Sequence, residues 1–579
     1  MNVLGIWDGH DSGAALLVDG RLRCALNEER FTRRKLEVQF PTRSIATCLT
    51  MAGLEAGQVD VVAVSTSDPA KTLGRWWPAS KERHYAVRRR KVRPGALSSL
   101  TRAAKYRITE WSPGRLSTAL SRIALRRELD RHGLAHASLR LVDHHEAHAA
   151  AAAWASGFDA CTVITIDGLG DGVSATISAF RNGTLERVRE SPARSSLGVF
   201  FEHVTSLLNM RELEDEGKVM ALADYAAPIP DAENPLLPLV DVRDGVIVTS
   251  RPGHAMKRTL AAIQWQYANE QFAYLGQRVV ERVTCALARD AVRLTGLPCV
   301  AISGGVASNV KATRHVRLMR GIEDVYVFPH MGDGGLPVGA AAVAAASLGS
   351  PARLDLADLG LGPAYDDEAI RRAIREAGYE PSRMQDPATH VAGLLESGRI
   401  VLWFQGGMEY GPRALGHRSV LARPDLVGVR DRLNLVLKRR VWYQPFCPSM
   451  LESEGPRLLA DWTGSRNRFM TMAYEVMTEH RDRLAGVISV DGTCRPQFVA
   501  DDQRSAFAAL LHQARRRWGA GVVLNTSMNI HGEPLVCSPA EALDVFRRSG
   551  ADALAIGGYC IEQVGSTNAI AVTQGITHS

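Results

Sequence analysis

The sequence predicts an α/β fold whose N-terminal half is internally duplicated, followed by a second α/β domain. Three observations predict it. A strand, a turn of acids and glycines, and a hairpin occur twice, about 160 residues apart. Strand–glycine turn–helix units follow the second copy. Past residue 365 comes a further set of apolar strands, long enough to build a core of its own.

The elements follow in chain order. Val3–Trp7 is an apolar strand, then come Asp8-Gly9-His10-Asp11-Ser12-Gly13, the strand Ala14–Val18, the turn Asp19-Gly20, and Leu22–Asn27. Asp-Gly between apolar runs is a hairpin signal. The second copy reads Cys161–Ile166, Asp167-Gly168-Leu169-Gly170-Asp171-Gly172, Val173–Phe180, Asn182-Gly183 and Leu185–Val188. Pro298–Ser303 leads into Gly304-Gly305-Val306-Ala307-Ser308-Asn309 and a helix. Val325–Phe328 leads into Gly332-Asp333-Gly334-Gly335 and an Ala-rich helix. Gly and Pro at 349–351 and 362–363 mark a boundary, giving domains at 1–350 and 366–579. The second holds strands Ile400–Phe404, Val522–Asn525 and Ala553–Ile556.

Composition narrows the class. Of 579 residues, 46% are hydrophobic and 23% charged, which excludes intrinsic disorder. The balance of 69 basic against 62 acidic residues leaves +7, weak support for a nucleic-acid partner. Part of it is a basic segment at 83–127, read as a helical insertion with solvated faces or as a surface for an anionic partner. The nine cysteines are scattered, with no C-x-x-C, which argues for a reducing, cytoplasmic interior. Asp8 comes too early for a signal peptide. No uncharged apolar run reaches ~18–20 residues, so no membrane span is expected.

Four constellations carry chemistry. His144 and His148 stand one helical turn apart, so both imidazoles can reach one ion. With Asp167 and Asp333, each in a glycine-rich turn after a strand, they make a four-ligand set suited to Fe(II), Mn(II) or Zn(II). The competing reading is a helix with two incidental histidines. Ser303–Asn309 reads as an anion-binding glycine turn or a structural one. Glu212–Lys218 is a charged loop, or a site lip where Glu216 and Lys218 contact a polyhydroxylated substrate or a phosphate. In the second domain Arg413, Arg418, Lys438 and Arg495, with the run Asn525-Thr526-Ser527-Met528-Asn529, read as an anion and nucleotide pocket.

Together these runs resemble the O-carbamoyltransferase family of nodulation and antibiotic biosynthesis, which includes the cephamycin and tobramycin enzymes. The matching text is His10-Asp11-Ser12, Asn27–Arg30, Asp143–His148, Asp167–Asp171, Gly217–Ala223, Ser303–Asn309, Gly332–Gly335, Gly411–Ser419, Asn525–Asn529 and Gly532-Glu533-Pro534. The resemblance implies an N-terminal domain similar to the universal tRNA threonylcarbamoyladenosine transferase, with an actin/hexokinase-type (ASKHA) duplication. It implies a YrdC-like C-terminal domain, resembling threonylcarbamoyl-adenylate synthase. There ATP, with Mg(II), and carbamoyl phosphate would give carbamoyl-adenylate. A hydroxyl of a small natural product, an antibiotic or sugar-bearing metabolite, would then take the carbamoyl group in the N-terminal domain.

Carried over residue by residue, His144, His148, Asp167 and Asp333 match the family's metal positions, with Fe(II) the expected ion. Gly304, Gly305, Val306, Ser308 and Asn309 match its nucleotide turn. Arg413, Arg418, Lys438, Arg495, Asn525 and Ser527 match the adenylate-forming pocket, where Lys438 and Arg418 are the expected catalytic pair. His10 and Asp11 are expected to be catalytic in the first loop, His10 taking the acceptor's proton. One departure stands out. The family run K-x-R-E-x-[FW]-R-P-F reads here Lys438-Arg439-Arg440-Val441-Trp442-Tyr443-Gln444-Pro445-Phe446, so Gln444 replaces an arginine expected to hold the donor's phosphate. Two other readings stay open: tRNA modification, drawing on the basic segment, and an inactive nucleotide-binding scaffold, suggested by Gln444. No nucleic-acid or membrane partner is expected. A homodimer is left open.

Overall fold

The computed structural model describes residues 1–94, 107–464 and 466–563. Residues 95–106 of the basic segment lie outside the described residues, as does 564–579. The first sheet contains β1 (Asn2–Trp7), β2 (Gly13–Val18), β3 (Arg21–Asn27), β4 (Val61–Ser65) and β5 (Ser138–Val142), ordered β3-β2-β1-β4-β5. The second contains β6 (Ala160–Gly170), β7 (Val173–Arg181) and β8 (Thr184–Pro192). After a separate hairpin of β9 (Val240–Arg243) and β10 (Val246–Thr249), it is completed by β11 (Cys299–Ser303) and β12 (Asp324–Val327), ordered β12-β11-β6-β7-β8. Read from the β8 edge, the two sheets share one plan: an antiparallel meander of three strands, then two strands parallel to the first. The expected duplication is therefore one of topology, and it is the twinned plan of the actin/hexokinase type.

Local chemistry explains the meanders. Asp19 and Gly20 have φ of 50° and 74°, and Asn182 and Gly183 have 51° and 74°. Two successive positive φ values make the turn whose twist matches a hairpin, and Asx-Gly tolerates them best. Between the sheets lie two Ala-rich helices, His144–Ala155 and Leu336–Ser347. The later helix packs on the first sheet, the earlier on the second, and they pack on each other. Small side chains let the backbones approach; a Cβ at Gly339 would collide with the Ala147 carbonyl oxygen. This close packing draws the His144 turn and the Asp333 turn together.

The third sheet is mixed. It contains β13 (Ser382–Arg383), β14 (Val401–Phe404), β15 (Arg418–Ala422), β16 (Cys447–Leu451), β19 (Gln497–Val499), β20 (Val522–Ser527), β21 (Ala553–Ile556) and β22 (Tyr559–Glu562). A side pair is made by β17 (Tyr474–Glu475) and β18 (Thr493–Cys494). The sheet order is β13-β22-β21-β14-β15-β20-β16-β19. Helices Pro387–Glu396 and Ala506–Trp518 cover one face with Leu395, Leu510 and Leu511. Between the second and third sheets the chain at 351–363 is packed, not loose. Ala352, Leu354, Leu356 and Leu359 are buried, and the Arg353 N–H donates to the Gly20 carbonyl at 2.6 Å. Among the described residues no helix is long and apolar enough to cross a membrane, and the nine cysteines are free.

Three local expectations are corrected. Asp167 is not in a turn after its strand: β6 runs on to Gly170, with a bulge between Ile166 and Gly170 that holds Asp167. The run Glu212–Lys218 is not a solvated loop. Glu212 is buried, Glu216 opens the helix Glu216–Leu222, and Lys218 pairs with Asp215 at 2.8 Å. The start of the basic segment is helical, and Arg83, Arg115 and Arg127 are exposed as a solvated face requires, but Arg88 and Arg89 turn inward. Arg88 pairs with Glu202 and with Glu212, the latter at 3.0 Å. Arg89 is buried on Glu214 at 2.5 Å, and Arg90 bonds Asn209. Arg88 and Arg89 are thus neither bathed in solvent nor free for an anionic partner, whereas Arg90 stays exposed.

Candidate active site

His144 and His148 are set by the helix they start. Asp143 caps that helix, accepting from the Glu146 N–H at 2.8 Å. The two rings lie edge-on, 4.8 Å apart. His144 Nε2 is 3.3 Å from Asp167 Oδ2 and 3.7 Å from Asp333 Oδ1; His148 Nε2 is 3.5 Å from Asp333 Oδ1. One ligand atom from each of the four lies within 4.8 Å of the others, and all four residues are buried. The tautomer of His148 suits ligation. Ser303 Oγ donates to the Met331 carbonyl at 3.2 Å and so accepts from His148 Nδ1 at 3.3 Å, leaving Nε2 with its lone pair facing the cluster. Burial opposes protonation of His144, yet Asp333 and Asp167 outweigh it and raise its pKa to about 9. The cluster thus draws positive charge, and its two imidazoles and two carboxylates fit a divalent ion of the Fe, Mn or Zn kind. His145 is different. Its nitrogens are occupied by Thr165 Oγ1 at 2.7 Å and the Val173 carbonyl at 3.1 Å, and burial lowers its pKa to about 3.

The loop after β1 stands against this cluster. His10 Nδ1 is 3.4 Å from Asp333 Oδ2, and its ring lies 5.3 Å from that of Tyr85. Burial lowers the His10 pKa, with Asp333 and Asp167 offsetting only part. Asp11 accepts from Asn27 Nδ2 at 3.1 Å, and its Oδ2 is 3.6 Å from His330 Nε2, which also contacts Asn27 Oδ1 at 3.0 Å. Burial, and then Glu29, lifts the Asp11 carboxyl to about 8, so it is a neutral acid at pH 7.

A second group lies in the C-terminal half. Arg413, Lys438, Arg440 and Arg495 all face one space without a carboxylate partner among their described contacts. Lys438 donates to the Ser527 carbonyl and to Asn529 Oδ1, the latter at 2.9 Å. Arg495 reaches Cys447 Sγ at 3.0 Å, and Arg440 lies over the Phe446 ring at 4.1 Å. Burial, then Arg495, brings Arg413 down to about 9; burial brings Arg440 to about 10 and Lys438 well below the usual lysine range. The Nε atoms of Arg413 and Arg495, Gln444 Oε1 and Asn525 Oδ1 are buried without a hydrogen-bond partner. Buried cations without counter-charge are costly, so this wall is built for an anion.

Both groups line one cavity of about 680 Å³. It reaches from His10, His144, Asp167 and Asp333, past Gly305, Ser308 and Asn309, to Arg413, Arg495 and Ser527. Asp167 ties the cluster to the glycine turn, its Oδ1 accepting from the Gly305 N–H at 2.7 Å.

The family descriptions Carbamoyltransferase N-terminus and Carbamoyltransferase C-terminus match residues 2–342 and 392–563. The chain belongs to the carbamoyltransferase family. It is 30% identical over 570 residues to nodulation protein NolNO of Sinorhizobium fredii, covering 96% of this chain and 79% of that protein. It is 30% identical over 435 residues to nodulation protein NolO of Bradyrhizobium diazoefficiens, covering 73% and 79%. Among solved structures, HypF of T. kodakarensis aligns at 16% identity over 61% of this chain and 49% of that one, with a TM-score of 0.34.

Measured against the expected site, the chain places most of the named residues on the cavity. Val306, Glu216, Lys218, Gln444, Asn525 and Asp11 line it. His148 stands just behind the surface. Gly304 lies beneath the turn, its N–H on the Met331 carbonyl at 2.7 Å. Arg418 is a correction. It is fully buried away from the cavity, donating to the carbonyls of Gln405 at 2.8 Å, Gly406 at 3.1 Å and Pro363 at 3.2 Å, over the Phe404 ring. An arginine in a Gly-rich turn serves backbone carbonyls as readily as phosphates. Sequence reasoning missed His330 and Lys71, and it gave no site role to Asn27, which it read only within the run Asn27–Arg30. Only His330, beside the Gly332–Gly335 turn, had a local signal.

Proposed function

We propose that this protein is an ATP-dependent O-carbamoyltransferase that works through carbamoyl-adenylate. The observation that carries the reading is the single cavity joining a wall of uncompensated cations to the cluster beside His10. In the C-terminal half, Arg413, Arg495 and Lys438 bind the phosphates of ATP and carbamoyl phosphate. ATP, carbamoyl phosphate and water give carbamoyl-adenylate, pyrophosphate and phosphate. The intermediate stays inside the cavity, shielded from bulk water.

In the N-terminal half the acceptor hydroxyl attacks the carbamoyl carbon, the bond between that carbon and the phosphate oxygen breaks, and AMP leaves with its electron pair. His10 is oriented for the proton: Asp333 accepts from Nδ1–H, which leaves Nε2 as the base. Asp167 and the Gly305 N–H fix the glycine turn against the intermediate. His144, His148, Asp167 and Asp333 would hold a divalent ion, Fe(II) being the ion the resemblance favours. Such an ion supplies a Lewis acid for a developing oxyanion. The acceptor is a small hydroxylated molecule with the bulk of a natural product, since a cavity of several hundred Å³ matches a drug-sized ligand.

The test is pyrophosphate release with each substrate omitted in turn, followed by mass spectrometry of candidate acceptors. Release that needs both ATP and carbamoyl phosphate, with an acceptor heavier by one carbamoyl group, is expected. Release of ADP alone would refute the adenylate route.

A further inference from the structure

Two lysines on the His10 side of the cavity have no part in that scheme. Lys71 lies in the first turn of the Pro69–Trp76 helix, which Asp68 caps by accepting from the Lys71 N–H at 2.8 Å. Its ammonium sits 3.4 Å from the centre of the Trp7 ring and 3.5 Å from Asp8 Oδ1. Lys81, from the Pro78–Arg88 helix, donates to the Asp8 backbone carbonyl at 2.9 Å. Arg75 already holds the Asp8 carboxylate as a fork, Nε to Oδ2 at 2.8 Å and NH2 to Oδ1 at 3.1 Å.

One buried carboxylate therefore faces three cations, and both of its oxygens are taken by a guanidinium. The Lys71 side chain is only 10% exposed, and both lysines line the cavity. A ring face attracts an ammonium but satisfies none of its three N–H donors. A cation this far from water needs more than one long contact to a shared carboxylate. The position is also close to the reacting groups. A side chain at Gly9, next to His10, would collide with the Lys71 ammonium. The Trp7 ring that carries Lys71 is 5.6 Å from the His144 ring.

We propose that Lys71 and Lys81 form an oxyanion-binding position beside His10, which takes a phosphate or carboxylate in the transfer half of the cavity. The oxyanion arrives on one of two molecules: the adenylate, whose phosphate leaves as AMP, or an acceptor that carries an acidic group near its reacting hydroxyl. The choice between these sources rests on the carbamoyl-transfer reading, whereas the binding does not.

Calorimetric titration of the full-length chain decides. The parent protein carries Arg413→Gln, so that the C-terminal cations compete less, and the probes are AMP and inorganic phosphate. Adding Lys71→Met, which keeps the stem over Trp7, should weaken binding at least tenfold, and Lys71→Arg should restore it to within about threefold. Lys81→Met supplies an independent second variant. Greater loss for AMP than for phosphate assigns the position to the adenylate, and equal loss assigns it to a simple oxyanion such as an acceptor would bring. If the parent binds neither probe, or if both lysine variants bind them as tightly as the parent, the proposal is overturned. Intact probe binding in a protein that makes no pyrophosphate would sink the transfer reading alone.

Discussion

Asp333 holds His10 by one carboxylate oxygen, Oδ2, at 3.4 Å from Nδ1. Its other oxygen, Oδ1, lies 3.5 Å from His148 Nε2, so one side chain couples the first loop to the four-residue cluster. An imidazole oriented in this way is a general base worth about 10²–10⁴-fold in rate. His10→Gln should lower the ratio of carbamoyl transferred to pyrophosphate released by a factor in that range. A ratio equal to the wild type's would show that another group takes the proton.

Ser303 should matter to metal affinity without being a ligand. It fixes the His148 tautomer through Nδ1. Removing such a partner costs about 10–100-fold in affinity. Ser303→Ala, titrated with Fe(II), Mn(II) or Zn(II) under anaerobic conditions, should bind more weakly by that factor. His148→Ala should lose more. Unchanged affinity in both variants would remove these residues from the site.

Glu216 makes the fold sensitive to pH. Burial, with Glu202 beside it, raises its carboxyl from 4.5 to about 8. A raised folded-state value favours the protonated form. The contribution is therefore fully present below pH 4.5 and is lost as pH rises towards 8. Glu216→Gln keeps an acceptor for the Leu213 N–H, which donates to Glu216 Oε1 at 2.7 Å, and removes the titration. The thermal midpoint of the wild type should fall more steeply than the variant's between pH 5 and 8, by roughly 1 °C per kcal/mol lost for a chain of this length. Parallel curves would contradict the assignment.

Gln444 lines the cavity beside Arg440, at the position where the family resemblance expects an arginine. Its Oε1 is buried and unpartnered, and its carbonyl lies 3.4 Å from Arg440 NH2. Restoring a charged fork adds a hydrogen bond worth about 1.5–3 kcal/mol. Gln444→Arg should lower the apparent KM for carbamoyl phosphate about tenfold or more. An unchanged or higher KM would mean that residue 444 does not face the donor's phosphate.

Much of this was legible before the structure because short-range chemistry marks it. Asp19-Gly20 and Asn182-Gly183 announced the hairpins through the only φ values such turns accept. His144 and His148 announced the cluster through helical spacing, and Asp333 through its glycine turn. What stayed hidden depends on distant packing. Asn27 and His330 meet across Asp11 only because the first and second sheets close on each other. Lys71 and Arg75 gain meaning only beside Asp8, which no local motif connects to them. Arg88 reads as surface charge until Glu202 and Glu212 are found against it. Arg418 shows the opposite error: the run Gly411–Ser419 located the turn but not the direction of its guanidinium.

Isotope exchange between labelled pyrophosphate and ATP tests the central claim most directly. The account predicts exchange that depends on carbamoyl phosphate and that drops sharply in the Arg413→Gln, Arg495→Gln double variant. Exchange that ignores carbamoyl phosphate, or survives loss of both arginines, would contradict it.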